Sequence, residues 1–483
     1  MSHVADTPPD TPPDVEELGY DHEEYMLEPV PKSARRKTIG IAAIWVGFGF
    51  VVTGLIVGGQ LAGQGGAPGM TMGGAVTTIA IGELVLFTLT ILLGIPAMKT
   101  GFNLALLSKV SYGDKGFILP MLFMALLTLG WFASILGMIG EIWGVLLGNP
   151  TGITLVDPAV FGREGIDPVS LEVVLSCVAF GALFTWTAYR GISAIEKVAL
   201  PIAPLLLVVA LYSGFGMVSD NGGWDAVMAE AGTRSGLPMG TGITIVVGAW
   251  IAGAVMGADI MRFAKHTKAV VIGAAAAFIL TNPLLNVVGY VGSIATGDSN
   301  FVNWMYTKGI FLTIIGVIVW TTSLWTTENS ELYSNSLYVG PVLRGFNFNV
   351  RRATLVLIVG VVGTVLGSLG FYQLFFNDFI TVLGAAFVPL VAPIIADYFL
   401  LRRGAFTPDS HAKQPALRWN AIISFVVGGT AGLLFQYVWP LPNDFSSSLA
   451  ALVTAFIVHI VLHLLFGNRV TERLELATET KEA

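Results

Sequence analysis

Four glutamates interrupt long apolar stretches of this chain: Glu83, Glu141, Glu328 and Glu331. A carboxylate at membrane depth costs roughly 2.5–3.5 kcal/mol even on the gentler scales, so each needs a partner or a task. Glu328 follows Thr326 and Thr327, and Glu331 lies three residues on, on the same helical face. Two carboxylates that close suit the binding of a proton or of a cationic substrate. Glu328 is the leading functional candidate. Glu83 reads either as a hydrogen-bonding residue of the bundle or as a functional carboxylate, and Glu141 lies far enough out to reach water. Asp259 and Asp397 have Arg262 and Arg402 nearby in sequence, and local pairing accounts for them. Trp131, within Gly130-Trp131-Phe132, and Trp250 can stack a flat heterocycle between two aromatic faces, although packing explains an isolated Trp equally well. His459 and His463, four residues apart, read as structural. No phosphate-binding loop, HExxH motif or Gly-x-Ser-x-Gly elbow accompanies these residues, so no enzyme and no cofactor is expected. The one cysteine, Cys177, can form neither an intrachain disulfide nor a cysteine-based metal site.

The elements that must position these side chains follow from composition. The 483 residues are 54% hydrophobic and 12% charged, about half the charge of a soluble domain. A net charge of −7 without a basic patch excludes a nucleic-acid binder. Apolar runs long enough to cross a bilayer predict twelve helical spans: 38–62, 75–97, 117–147, 170–189, 193–216, 241–261, 269–296, 309–337, 353–371, 374–401, 419–438 and 446–466. With both termini cytoplasmic, the external loops hold only Arg163, Arg234 and Lys308 of the 25 basic residues, as the positive-inside rule requires. Residues 1–37 form a polar tail whose first 28 residues contain nine acids and no Lys or Arg, which predicts disorder.

Two spans look interrupted. Span one carries Gly47-Phe48-Gly49-Phe50, Thr53-Gly54 and Gly58-Gly59; span six carries Gly248, Gly253 and Gly257. They lie five spans apart, and an odd number of spans per half inverts the second half. Paired broken helices in inverted repeats point to a transporter's central site; close packing through small residues is the alternative. The expected organisation is a first five-helix repeat over 38–216, an inverted second over 217–401, two accessory helices over 402–466 and a cytoplasmic tail over 467–483.

Short matches spread over nearly the whole chain then acquire meaning together. They are Val30-Pro31-Lys32-Ser33-Ala34-Arg35-Arg36, Lys99-Thr100-Gly101, Gly130-Trp131-Phe132, Ala258-Asp259 with Arg262-Phe263, Trp325-Thr326-Thr327 with Leu332-Tyr333, and Ala396-Asp397-Tyr398 before Arg402-Arg403. In this order the chain resembles the nucleobase–cation symporters of the purine/cytosine permease group, the bacterial cytosine permeases in particular. The resemblance implies an all-α, leucine-transporter-like architecture of five plus five inverted helices with two extra helices, working by alternating access. It implies a sodium site from backbone carbonyls near Gly47, Phe50 and Ser323 and the hydroxyls of Thr326 and Thr327. It also implies a substrate site in which Trp131 and Trp250 stack the ligand beside Thr128, Ala249 and Glu328. Here the chain departs from the pattern: Thr128 replaces a glutamine, Ala249 a serine, Glu328 an asparagine and Trp250 a phenylalanine. A carboxylate only accepts hydrogen bonds where an amide also donates, so cytosine itself is doubtful. A ligand with two adjacent N–H donors or a positive charge is expected instead. The function expected is cation-driven uptake of a small nitrogenous heterocycle across the plasma membrane by a monomer or weak oligomer. Sodium is the coupling ion, or protons carried by Glu328 and Glu331 in the alternative. A non-transporting sensor is a remoter reading.

Overall fold

The computed structural model describes residues 28–163, 168–190, 193–348, 350–412, 414–442 and 444–466. The C-terminal tail and most of the N-terminal one lie outside these. Residues 28–37, expected to be disordered, are tied down. Val30 is buried and donates its N–H to Gly101 O at 2.9 Å, and Arg36 bonds through its backbone to Phe263 and Lys265.

Every predicted span is occupied by helix. Among the described residues, nine helices are long and apolar enough to cross a membrane alone. Two bent pairs raise the number to eleven, and Arg352–Ser368 in the position of span nine has 17 residues. Span one is two helices, Thr38–Gly49 and Thr53–Ala62, bent by 50°. Phe50 leaves helical geometry (φ −86°, ψ 78°), and the β-branched Val51, Val52 and Thr53 that follow are weak helix formers after a glycine-rich turn.

The second expected break is absent: span six is one continuous helix, Met239–Met261. Its glycines serve close packing. A Cβ on Gly248 would stand 1.9 Å from Ile380 O, and one on Gly257 would stand 3.0 Å from Thr90 Cγ2. Irregularity falls in spans seven and ten instead. Span seven has a π-helical turn at Ala276–Thr281, and span ten passes through π turns at Leu383–Phe387 and Asp397–Leu401 with a 3-10 turn between them. Wider turns of this kind often mark functional positions.

The packing repeats with a period of five spans. Span two packs on span six as span seven packs on span one; span three meets span nine as span eight meets span four; spans three and eight pair with each other, as do four and nine. That self-mapping is the signature of the inverted repeat. Spans eleven and twelve pair with each other and lean on span ten, outside the symmetry. Asp397, expected beside Arg402, instead pairs with His459 of span twelve at 2.8 Å, both buried.

Candidate functional site

The bend of span one opens a gap in the middle of the bundle. Phe48, Val51 and Thr53 line it from the break, and Trp131 and Ile135 line it from span three. Span six contributes Ala249, Trp250, Ala252 and Gly253, and span eight contributes Thr327 and Glu331. Together they line one small cavity at the break.

Both tryptophans are held edge-on by other rings. Trp131 meets Phe376 and Phe379 of span ten at centroid distances of 5.7 and 5.9 Å, and Trp250 meets Phe48 and Phe278 at 5.5 and 6.0 Å. Such T-shaped contacts hold the plane of each ring. Glycine makes the seats possible: a Cβ on Gly130 would stand 2.4 Å from the ring of Phe379, and one on Gly253 would stand 2.9 Å from that of Trp250. Both indole N–H groups are buried without a hydrogen-bond partner, and so is Oε2 of Glu331. Unmade hydrogen bonds of this kind each cost about 1–3 kcal/mol. The wall therefore pairs free donors with a free acceptor.

Of the residues singled out in the sequence, Trp131, Ala249, Trp250, Thr327 and Glu331 meet on this wall. Glu328 does not. Along span eight, Thr327 and Glu331 are four residues apart and share a face, while Glu328 is turned about 100° from Thr327. That flank also carries Asn335, which donates to Thr128 Oγ1 at 2.8 Å and to Ala125 O at 2.6 Å. Glu328 is fully buried there, and neither of its carboxylate oxygens has a partner. Thr128 is likewise engaged: its hydroxyl donates to Met124 O at 2.9 Å and accepts from Asn335, a clasp between spans three and eight.

The residues implied for sodium fall beside the cavity. Thr326 and Thr327 donate to Ser323 O at 2.8 and 3.1 Å, and the Ser323 hydroxyl is buried without a partner. Gly47 and Phe50 flank Phe48 at the end of the first half-helix. Glu83 is elsewhere, its Oε1 accepting from Asn282 at 2.5 Å and Asn286 at 2.9 Å of span seven.

Val51, Ile135 and Ala252 were not singled out from sequence, and Phe48, Thr53 and Gly253 entered only within the two glycine-rich stretches. Ile135 lies one turn from Trp131 and Gly253 one turn from Ala249, so helical spacing from the named residues reaches both. Val51 and Thr53 enter only because the chain turns at Phe50.

The chain matches, over residues 29–446, the family described as permeases for cytosine/purines, uracil, thiamine and allantoin. It is 28% identical over 425 residues to the cytosine permease of Escherichia coli strain K12, covering 88% of this chain and 92% of the relative. It is 24% identical over 480 residues to the hydantoin permease of Microbacterium maritypicum, covering 94% and 92%. Mhp1, a nucleobase-cation-symport-1 family transporter solved in a closed conformation with bromovinylhydantoin bound, superposes with a TM-score of 0.73. The two are 22% identical, and the match covers 94% of this chain and 96% of Mhp1. That likeness shows the leucine-transporter-like fold anticipated from the sequence. With the family match spanning most of its length, the chain belongs to these permeases and is a multi-pass membrane transporter of the nucleobase–cation symport group rather than an enzyme.

Proposed function

We propose that the chain imports a nucleobase or related nitrogenous heterocycle across the plasma membrane by sodium symport, with both termini in the cytoplasm. The observation that carries this reading is the cavity at the break of span one, lined by Trp131, Trp250 and Glu331, whose indole N–H groups and Oε2 are buried without partners. A flat ring bearing an N–H can stack on an indole face and donate to the carboxylate; an acyclic ligand has no face to stack, and a purely apolar one leaves the carboxylate unpaired. The relatives named for cytosine and hydantoin, both planar rings of that type, support the class.

Trp131 and Trp250 would stack the ring, and Glu331, one turn from Thr327, would accept its N–H. The hydroxyls of Thr326 and Thr327 and carbonyls near Gly47, Phe50 and Ser323 would bind the co-transported sodium, tying the end of the first half-helix to span eight. Because Thr327 belongs both to that set and to the cavity wall, ion and substrate would stabilise the same arrangement of the two spans. That shared residue is the physical basis for coupling. In proteoliposomes, replacing external sodium by choline is expected to lower uptake of the best heterocycle about tenfold or more. Undiminished uptake would end the sodium reading.

A proton-coupled mechanism is favoured by one observation, the unpartnered carboxylate of Glu328 beside Glu331. It predicts that uptake collapses when the pH gradient is dissipated in constant sodium.

A further inference from the structure

Glu83 of span two lies outside the cavity wall and has no task in the mechanism above, yet it is the centre of a buried cluster of oxygens. Its Oε1 accepts one amide N–H from each of Asn282 and Asn286. Glu83 Oε2, Asn282 Oδ1 and Asn286 Oδ1 are all buried acceptors without any donor, on residues exposed by at most 1%. The two amide oxygens converge on span one: they stand 3.0 and 3.2 Å from the point where a Cβ of Gly54 would be. Gly54 follows Thr53, which lines the cavity, so the cluster backs directly onto the break. Among the described residues no cation is ion-paired with Glu83.

Two counts decide what belongs there. The first is charge: an ionised carboxylate taken out of water without a partner costs several kcal/mol, and a single positive charge removes that cost. The second is acceptors. A proton on Oε2 makes one O–H donor, which serves one amide oxygen and leaves the other unpaired. A monovalent cation can take both amide oxygens, which converge beside Gly54, and its charge offsets that of the carboxylate. One carboxylate with two neutral oxygens is too little charge for a divalent ion.

We propose that Glu83, Asn282 and Asn286 form a second monovalent-cation site, clamping spans two and seven against Gly54 of span one. It is independent of the hydroxyl and carbonyl set near Ser323 and uses different spans. A cation held there stabilises the break itself, since the second half of span one packs on span seven through Gly58 and Gly289.

The test is thermal unfolding of the purified full-length protein in sodium chloride against choline chloride at equal ionic strength. In a Thr327→Ala background, which removes a ligand of the other set, stabilisation by sodium is expected to persist. Adding Glu83→Gln is expected to raise the half-saturating sodium concentration about tenfold or more. Should that variant fail to fold, Asn286→Asp keeps the carboxylate and adds a second. It is expected to bring a calcium-dependent stabilisation that the parent lacks. The proposal is overturned if Thr327→Ala alone abolishes all sodium dependence, or if neither variant alters the cation response. It is overturned equally if the stabilisation follows pH at constant sodium, which assigns a proton to Glu83 instead.

Discussion

Glu331→Gln is expected to weaken substrate binding by about 1.5–3 kcal/mol, roughly ten- to a hundredfold, the worth of a hydrogen bond to a charged group. The loss should be selective. Heterocycles presenting an N–H or a positive charge to the carboxylate lose affinity, while ligands presenting a carbonyl gain relative to them, because the new amide can also donate. Glu328→Gln is expected to leave affinity within about threefold, since its side chain is off the cavity wall, while changing thermal stability by removing an unpartnered buried carboxylate. Competition binding with a panel of purines, pyrimidines and hydantoins, run on both variants, separates the two carboxylates. An affinity that responds to Glu328→Gln and ignores Glu331→Gln would remove Glu331 from the substrate site.

Gly58→Ala and Gly289→Ala are expected to be among the most damaging small substitutions in the bundle. A Cβ on Gly58 would lie 1.9 Å from Asn286 O, and one on Gly289 would lie 2.0 Å from Leu55 O. These contacts are with backbone, so no side chain can swing aside, and spans one and seven must part. Overpacking by one methyl costs about 1–3 kcal/mol where side chains can adjust, and more where they cannot. Separating these helices also moves the break that forms one wall of the cavity. Purified variants should melt several degrees lower, and uptake should fall to about a tenth or less. Gly73→Ala is the control, because nothing lies within 4 Å of its Cβ position. If Gly58→Ala melts like Gly73→Ala, the crossing is looser than these distances imply.

The contrast between these glycines explains what was legible in advance. Glycine in a spanning helix permits either a break or a close crossing, and the residue type does not distinguish them. Both spans set glycines beside a β-branched run, 51–53 in span one and 243–247 in span six; span one breaks at Phe50, whereas span six stays whole, packed against Ile380 and Thr90. The irregular turns of spans seven and ten had no comparable signal. They depend on which neighbours satisfy the freed backbone groups.

Glu328 and Glu331 carry the same lesson at the site. Their shared face was evident from spacing, and the resemblance pointed to Glu328, but sixty degrees or so of helix rotation decides which carboxylate meets the cavity. Asn335 was silent in the sequence because its role, clasping Thr128, requires spans three and eight to be adjacent.

What the sequence by itself determined was the membrane, the spans, the family and the chemical types available at mid-depth. Those follow from local properties: apolar run length, the position of charge and the order of short motifs. What only the tertiary structure decided was which of those residues share a space. Trp131, Trp250, Thr327 and Glu331 come from three helices far apart in the chain, and their meeting depends on the crossing and rotation of each helix. Crossing and rotation are set by side-chain packing between spans, a non-local quantity that a single helix does not encode.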